Sequence, residues 1–156
     1  MKDVSSWLNE YAESHQNPIN ITIHWICVPL IMISIIGLLA SIKLNIYIFQ
    51  SYPQFNHAGL VLIIFGSIYY LILSKPLFFG MIPVSIIMLF IVQWLSTLTM
   101  PLWQISLIIF IISWLGQFYG HIIEGKKPSF FEDIQFLLIG PAWLLSFIYN
   151  KIGIKL

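Results

Sequence analysis

Four long apolar runs, separated by short polar segments, dominate the pattern of this chain. A helix of about 20 apolar residues is long enough to cross the roughly 30 Å hydrocarbon core of a bilayer. The runs predict four membrane-spanning helices, over about 18–41, 58–74, 77–98 and 102–123. The pattern therefore predicts an all-α fold, a polytopic transmembrane helix bundle with four full spans.

The N-terminal end carries a weaker helical pattern. Residues 5–16 predict a short amphipathic helix, because aromatic rings recur there at intervals of four residues and so share one face. These rings belong to Trp7, Tyr11 and His15. A helix of this kind is typical of the membrane interface, with its aromatic residues among the lipid headgroups.

The C-terminal end has one more apolar stretch, 134–149, which is short for a span and has Gly140-Pro141 at its middle. It predicts a short, broken fifth helix, which either crosses the membrane with a kink or turns back as a re-entrant segment. Ser129 with Glu132 fits a capping box that would begin this helix.

Composition agrees with a membrane location. The 156 residues are 59% hydrophobic and 8% charged, with a mean hydropathy of +0.91, whereas soluble domains carry roughly 25% charged residues. We therefore expect one integral-membrane domain over 1–156, in contact with membrane lipid. The net charge is +1 and there is no basic run beyond Lys126-Lys127, so no nucleic-acid partner is expected.

The lysines predict the orientation in the membrane. We call the side that holds residue 1 side A and the opposite side B. If the last apolar segment crosses the membrane, four lysines lie on side A and three on side B, which decides little. If it turns back, only Lys43 lies on side B, and six lysines lie on side A: Lys2, Lys75, Lys126, Lys127, Lys151 and Lys155. The positive-inside rule then places side A in the cytoplasm. We expect a bacterial inner membrane for a bacterial protein and the endoplasmic reticulum for a eukaryotic one.

Three of the four histidines are predicted to meet on side A. His15 and His24 flank the start of the first span, and His121 lies at the end of the fourth, which returns to the same side. Ionisable side chains at such positions are candidate functional sites, and imidazole is the commonest transition-metal ligand. Asn20 shares a helix face with His24. His57 begins the second span on side B, apart from the other three.

The end of the fourth span has further candidate residues. Gly116 and Gly120 form a GxxxG motif, which allows another helix to approach closely. Gln117, His121 and Glu124 share one face of this helix. A ligating histidine usually donates the N–H of its second ring nitrogen to a neighbouring group. We therefore expect Gln117 or Glu124 to accept this hydrogen bond from a ligating histidine.

Two stretches resemble the signatures of a known family. The sequence HQNPINITIH at 15–24, followed by VPL at 28–30, resembles the first signature of the Mpo1-like membrane proteins. The sequence QFYGH at 117–121, followed by EGKKP at 124–128, resembles the second. The order of the signatures and the apolar segments between them also fit, so the resemblance covers nearly the whole chain.

This resemblance implies an iron(II)-dependent dioxygenase that shortens 2-hydroxy fatty acids by one carbon, a fatty acid α-oxidation, with O2 as co-substrate. It implies iron ligation by His15, His24 and His121, and it carries His57 over only as a candidate fourth ligand. Further candidates are the catalytic Glu124, the outer-shell residues Tyr11, Asn20 and Gln117, and the carboxylate-attracting Lys126 and Lys127.

Three imidazoles on iron(II) leave positions for a chelating 2-hydroxy acid and for O2, similar to the sites with two histidines and one carboxylate. The residues alone leave other functions open. One is a haem- or metal-binding membrane protein without oxygenase activity, since zinc also suits imidazole ligands. Another is a non-enzymatic membrane scaffold or transporter, although no inverted repeat indicates transport.

Overall fold

The computed structural model describes residues 3–44, 46–47, 51–52, 55–125 and 136–156. The described residues form six α-helices, which confirms the all-α prediction. In chain order they are α1 (Val4–Glu13), α2 (Pro18–Ala40), α3 (Ala58–Leu73), α4 (Lys75–Leu95), α5 (Leu102–Glu124) and α6 (Ile139–Ile152).

Three of these helices, α2, α4 and α5, are long and apolar enough to cross a membrane. Helix α3 is apolar but has only 16 residues, which corresponds to about 24 Å. It ends at Leu73 because Ser74, in an extended conformation, both closes α3 and precedes α4. Lys75 and Pro76, which the sequence leaves between the second and third predicted spans, lie in the first turn of α4 instead. A proline is tolerated there because the first backbone N–H groups of a helix have no partner within it.

Helices α2 and α5 make the most extensive contact between any two described helices. The GxxxG motif allows it. A Cβ atom at Gly120 would overlap Asn20 Oδ1, and one at Gly116 would lie 2.7 Å from Cys27 Sγ. The prediction that these glycines permit close helix packing is confirmed, and this packing joins the two segments that carry His24 and His121.

Asp3 is the N-cap of α1, and its Oδ1 accepts a hydrogen bond from Val4 N at 2.8 Å. It packs against α6, and Val4 and Tyr11 are buried. The expectation that its aromatic face lies among headgroups is therefore wrong for Tyr11. Its ring lies 5.2 Å from Trp143 of α6 instead, a contact that only the return of α6 creates.

Helix α6 turns back rather than crossing the bundle. At its start, Leu138 packs beside the buried cluster that contains Met32 of α2, and its carbonyl accepts from Tyr70 Oη at 2.7 Å. Near its end, Tyr149 Oη donates to Pro76 O at 2.6 Å. Because Pro76 lies in the first turn of α4, α6 runs from the inside of the bundle back to side A.

The predicted break at Gly140-Pro141 is not a kink. Both residues lie in the first turn of α6, because the helix begins at Ile139. Of the two alternatives for the last apolar segment, the described part therefore agrees with the re-entrant one. The predicted capping box, Ser129 with Glu132, lies outside the described residues.

Candidate metal centre

His15, His24 and His121 converge at side A of the bundle and are all buried. One nitrogen of each ring lies within 4.8 Å of the other two. The ring centroids of His15 and His24 are 4.2 Å apart, and His121 lies 5.2 Å from the first and 5.3 Å from the second. The structure thus brings together the three histidines that span counting predicts to meet.

Local structure explains why His15 faces the bundle. Helix α1 ends at Glu13, and α2 begins at Pro18 after Asn17, whose side chain accepts from Ile19 N at 2.9 Å. The short connection between these ends holds His15 over the first turns of α2. His24 lies in the second turn of that helix, and His121 lies in the last turn of α5.

Backbone carbonyls fix two of the rings. His15 Nδ1 donates to Tyr11 O at 2.6 Å, and His24 Nδ1 donates to Asn20 O at 2.9 Å. Since a carbonyl oxygen only accepts, each Nδ1 carries a hydrogen, and in the neutral ring Nε2 then carries the lone pair that a metal would bind. The prediction that Gln117 or Glu124 holds the second nitrogen is therefore wrong for these two histidines.

The two Nε2 atoms, of His15 and His24, lie 2.9 Å apart, within hydrogen-bond distance. At this distance a cation between the two nitrogens, either a proton carried by one ring or a metal ion, offsets the repulsion of their lone pairs. Imidazole nitrogens bind metals at about 2.1 Å, so two of them at right angles on one ion lie about 3 Å apart. The spacing fits adjacent positions on a transition metal, and three neutral imidazoles are suitable donors for iron or zinc.

An aromatic wall covers the site. The ring of Tyr11 stacks on His15 at 4.2 Å with an interplanar angle of 9°, which agrees with the prediction that Tyr11 lies beside the ligands. Trp143, also buried, lies 5.3 Å from His15. Trp143 is not among the candidate site residues that the sequence indicates, because nothing in the sequence shows that α6 returns to the histidines.

Glu124 joins the two ends of the chain at this site. Its carboxylate accepts from Gln16 N at 2.8 Å, Asn17 N at 2.9 Å and Asn20 Nδ2 at 3.0 Å. A carboxylate at the N-terminus of α2 is also favoured by the helix dipole. Glu124 thus fixes the connection that carries His15 against the last turn of α5.

Asn20 and Gln117 lie beside the histidines. Asn20 is fully buried, and its Nδ2 also lies 3.4 Å from Ser14 O. Its side chain fills the space that Gly120 leaves open. Gln117 is buried one turn before His121 and lines a cavity of about 20 Å³ together with Tyr11. Both candidates therefore adjoin the histidine site.

His57 lies at the opposite end of the bundle. It is the N-cap of α3, where its Nδ1 accepts from Leu60 N at 3.2 Å, and its backbone pairs with Lys43 after the end of α2. The end of α2 is about 24 Å from His24 along the helix axis. The structure does not bring His57 to the other three histidines. Lys126 and Lys127 lie outside the described residues.

Comparisons with known proteins identify relatives over nearly the whole chain. The family model described as "2-hydroxy-palmitic acid dioxygenase Mpo1-like" matches residues 1–152. The 2-hydroxy-palmitic acid dioxygenase MPO1 of Saccharomyces cerevisiae is 27% identical to the chain over 153 residues, which cover 97% of this chain and 82% of the yeast protein. No solved structure matches the chain. With a family match over almost its full length and both histidine signatures at one buried site, the chain belongs to the Mpo1-like family.

Proposed function

We propose that this protein is an iron(II)-dependent dioxygenase that shortens 2-hydroxy fatty acids by one carbon. The observation that carries the proposal is the buried triad of His15, His24 and His121, with two ring nitrogens 2.9 Å apart. The similarity to the yeast 2-hydroxy-palmitic acid dioxygenase suggests the reaction class and the 2-hydroxy acid.

The proposed reaction balances without an outside reductant. The C1–C2 bond of the 2-hydroxy acid breaks, C2 is oxidised to a new carboxyl group, and C1 leaves as CO2. The acid gives up as many electrons as O2 accepts on full reduction, so one O2 yields the shorter acid, CO2 and water. Bound iron(II) supplies the open coordination positions and the electrons that make O2 reactive.

The histidines orient the site before substrate arrives. The bonds from Nδ1 of His15 and His24 to backbone carbonyls hold both rings with Nε2 directed at the common point. Such outer partners also raise the basicity of a ligating imidazole. The rings of Tyr11 and Trp143 cover His15 and exclude water from that side.

We assign Glu124 a positioning role within the proposed catalytic machinery. Its oxygens accept from three N–H groups on the connection to α2 and on Asn20. Through these bonds Glu124 fixes the connection that carries His15. Because His121 lies three residues before Glu124 on α5, the distance between the two histidines is fixed as well. We assign Gln117, buried one turn before His121 on α5, an outer-shell role beside the ligands.

The substrate would lie with its polar head at side A and its tail among the helices. An apolar cavity of about 140 Å³ opens between α2, α4 and α6, one helical turn beyond His24. Val28, Val84 and Leu144 are among its lining residues. We propose that the acyl tail occupies this cavity, and that Lys126 or Lys127 attracts the carboxylate.

The return of α6 favours a cytoplasmic metal site. It places Lys151, in the last turn of α6, on the same side as Lys75 at the start of α4. The positive-inside rule then favours side A, with the histidines, in the cytoplasm. We propose the inner membrane of a bacterium, or the endoplasmic reticulum of a eukaryote, as the location.

A haem protein is the less favourable alternative. Two histidines that bind one haem iron lie on opposite faces of the ring, so their nitrogens are about 4 Å apart. His15 and His24 are closer, at 2.9 Å, which does not fit two ligands on opposite faces of one haem. A strong Soret band in purified protein would favour haem over the proposal.

The test uses 2-hydroxypalmitate labelled at C1. We expect purified, iron-loaded protein to release the label as CO2 and to form the acid one carbon shorter, only when O2 is present. Turnover should consume one O2 for each acid formed. Label that remains in the acid, or equal product formation under nitrogen, would contradict the proposal, and no turnover at any metal loading would favour a non-enzymatic scaffold.

A further inference from the structure

A second cavity lies at the end of the bundle opposite the histidine triad. Its volume is about 380 Å³, within the range of ligand-sized pockets. It lies between the end of α2, the second half of α4 and Phe55 and His57, which directly precede α3. Six of its lining residues are Ala40, Lys43, His57, Leu89, Gln93 and Ser96. It is thus separate from the metal centre and from the proposed acyl cavity.

The cavity has the depth of one membrane leaflet. Along α4 it extends from Ile86 to Ser96, the C-cap residue of that helix, a distance of about 15 Å. This is half of the roughly 30 Å hydrocarbon core. Ile86 and Phe90 are exposed on the outer surface of α4, so the cavity opens towards surrounding lipid rather than only towards water.

Polarity changes along the cavity in the way that an amphipathic lipid requires. Ile86, Leu89 and Phe90 line the deep part, whereas Lys43, Gln93 and Ser96 surround its outer end. The outer end coincides with the ends of α2 and α4, two helices long enough to reach the headgroup region of a bilayer. An acyl chain in the deep part would therefore contact apolar side chains, and a headgroup at the outer end would contact hydrogen-bond donors.

The outer end is positively charged. The sequence has no acidic residue between Glu13 and Glu124, and within the described ranges no carboxylate forms an ion pair with Lys43. The backbone around this lysine is fixed, because Leu44 N donates to Asn56 O at 2.9 Å and Ala58 N donates to Ile42 O at 3.0 Å. A localised cation beside a leaflet-deep apolar cavity is complementary to an anionic lipid.

We propose that this cavity binds one anionic phospholipid of the surrounding bilayer, with an acyl chain between α2 and α4 and its phosphate beside Lys43. This proposal does not depend on the oxygenase activity. The ligand is a structural lipid of the leaflet on side B rather than the hydroxy acid that we assign to side A.

Native mass spectrometry from mixed micelles tests the charge requirement. We expect the wild-type protein to retain one phosphatidylglycerol in preference to phosphatidylcholine at equal concentrations. Lys43→Gln should reduce this preference about fivefold, the effect of one lysine at a membrane surface. Lys75→Gln, the same change at an exposed position on side A, should leave it unchanged. Equal retention of both lipids, or equal effects of both substitutions, would overturn the proposal.

A second pair of variants tests the cavity itself. Leu89→Trp fills the deep part and should abolish the retained lipid, whereas Ile87→Trp, on the lipid-exposed surface outside the cavity, should not. Helix content by circular dichroism checks that both variants fold. If Leu89→Trp does not fold, the lipid preference of Lys43→Gln tests the proposal instead. Retention of lipid by Leu89→Trp, or preferential retention of palmitate added as a competitor, would show that the assigned occupant is wrong.

Discussion

His15 Nε2 and His24 Nε2 lie 2.9 Å apart, while both Nδ1 atoms are bonded to backbone carbonyls. Neither ring can turn away from the other without losing the bond at its Nδ1. A bound cation therefore relieves a repulsion that the fold itself imposes, and metal binding and folding are expected to be coupled.

The first prediction follows from that coupling. Iron(II) at a hundredfold excess over its Kd should stabilise the wild-type protein by about 2.7 kcal/mol, measured as a rise in Tm under anaerobic conditions. His15→Phe retains a ring against Tyr11 but removes the ligating nitrogen, so its Tm should not rise. An equal rise in this variant would show that His15 does not bind the metal.

Glu124→Gln should weaken iron binding without unfolding the bundle. The amide has only one oxygen for the N–H groups that the carboxylate now accepts from Gln16, Asn17 and Asn20. Loss of such outer contacts typically lowers metal affinity 10–100-fold, which a competition assay with a chelator measures. Glu10→Gln, the same change on the exposed surface of α1, is the control, and equal affinities of the two variants would contradict the positioning role.

The two glycines of α5 should differ in their tolerance of a methyl group. Gly120→Ala places a Cβ on the buried Asn20 side chain and should destabilise the protein by about 1–3 kcal/mol, with loss of iron. Gly116→Ala contacts Cys27 Sγ instead, so its effect on Tm should be relieved by a second change, Cys27→Ala. If Cys27→Ala rescues Gly120→Ala equally well, the assignment of Asn20 to Gly120 and of Cys27 to Gly116 is contradicted.

Filling the proposed acyl cavity should change the preferred chain length. Val84→Trp reduces the space between α2, α4 and α6, so turnover should shift from 2-hydroxypalmitate towards shorter 2-hydroxy acids. Iron content should stay the same because Val84 does not contact the histidines. Ile87→Trp, on the outer surface of α4, is the control; an unchanged chain-length profile in Val84→Trp would place the tail elsewhere.

Some of the site was predictable from the sequence because membrane crossings alternate in direction. Four apolar runs return His121 to the side of His15 and His24, and GxxxG predicts that α2 and α5 approach closely. Both relations depend only on span order and local spacing. The same reasoning correctly sets His57 apart.

Other features depend on contacts that periodicity does not encode. The carbonyl partners of His15 and His24 come from the path of the chain between α1 and α2, which spacing alone does not determine. Glu124 was expected to face an imidazole, since it shares a helix face with His121, yet it binds the start of α2. Trp143 reaches His15 because α6 turns back, and a segment of that length is equally compatible with a crossing.

The most direct test of the account measures iron content and turnover of 2-hydroxypalmitate in the same preparations. Wild-type protein should contain about one iron, and His24→Ala and His121→Ala should lose both iron and turnover. His57→Asn is the matched control, because asparagine retains the N-cap function of this residue in α3, and it should keep both. Full iron content and turnover in His24→Ala and His121→Ala would contradict the central claim that the buried triad holds the catalytic metal.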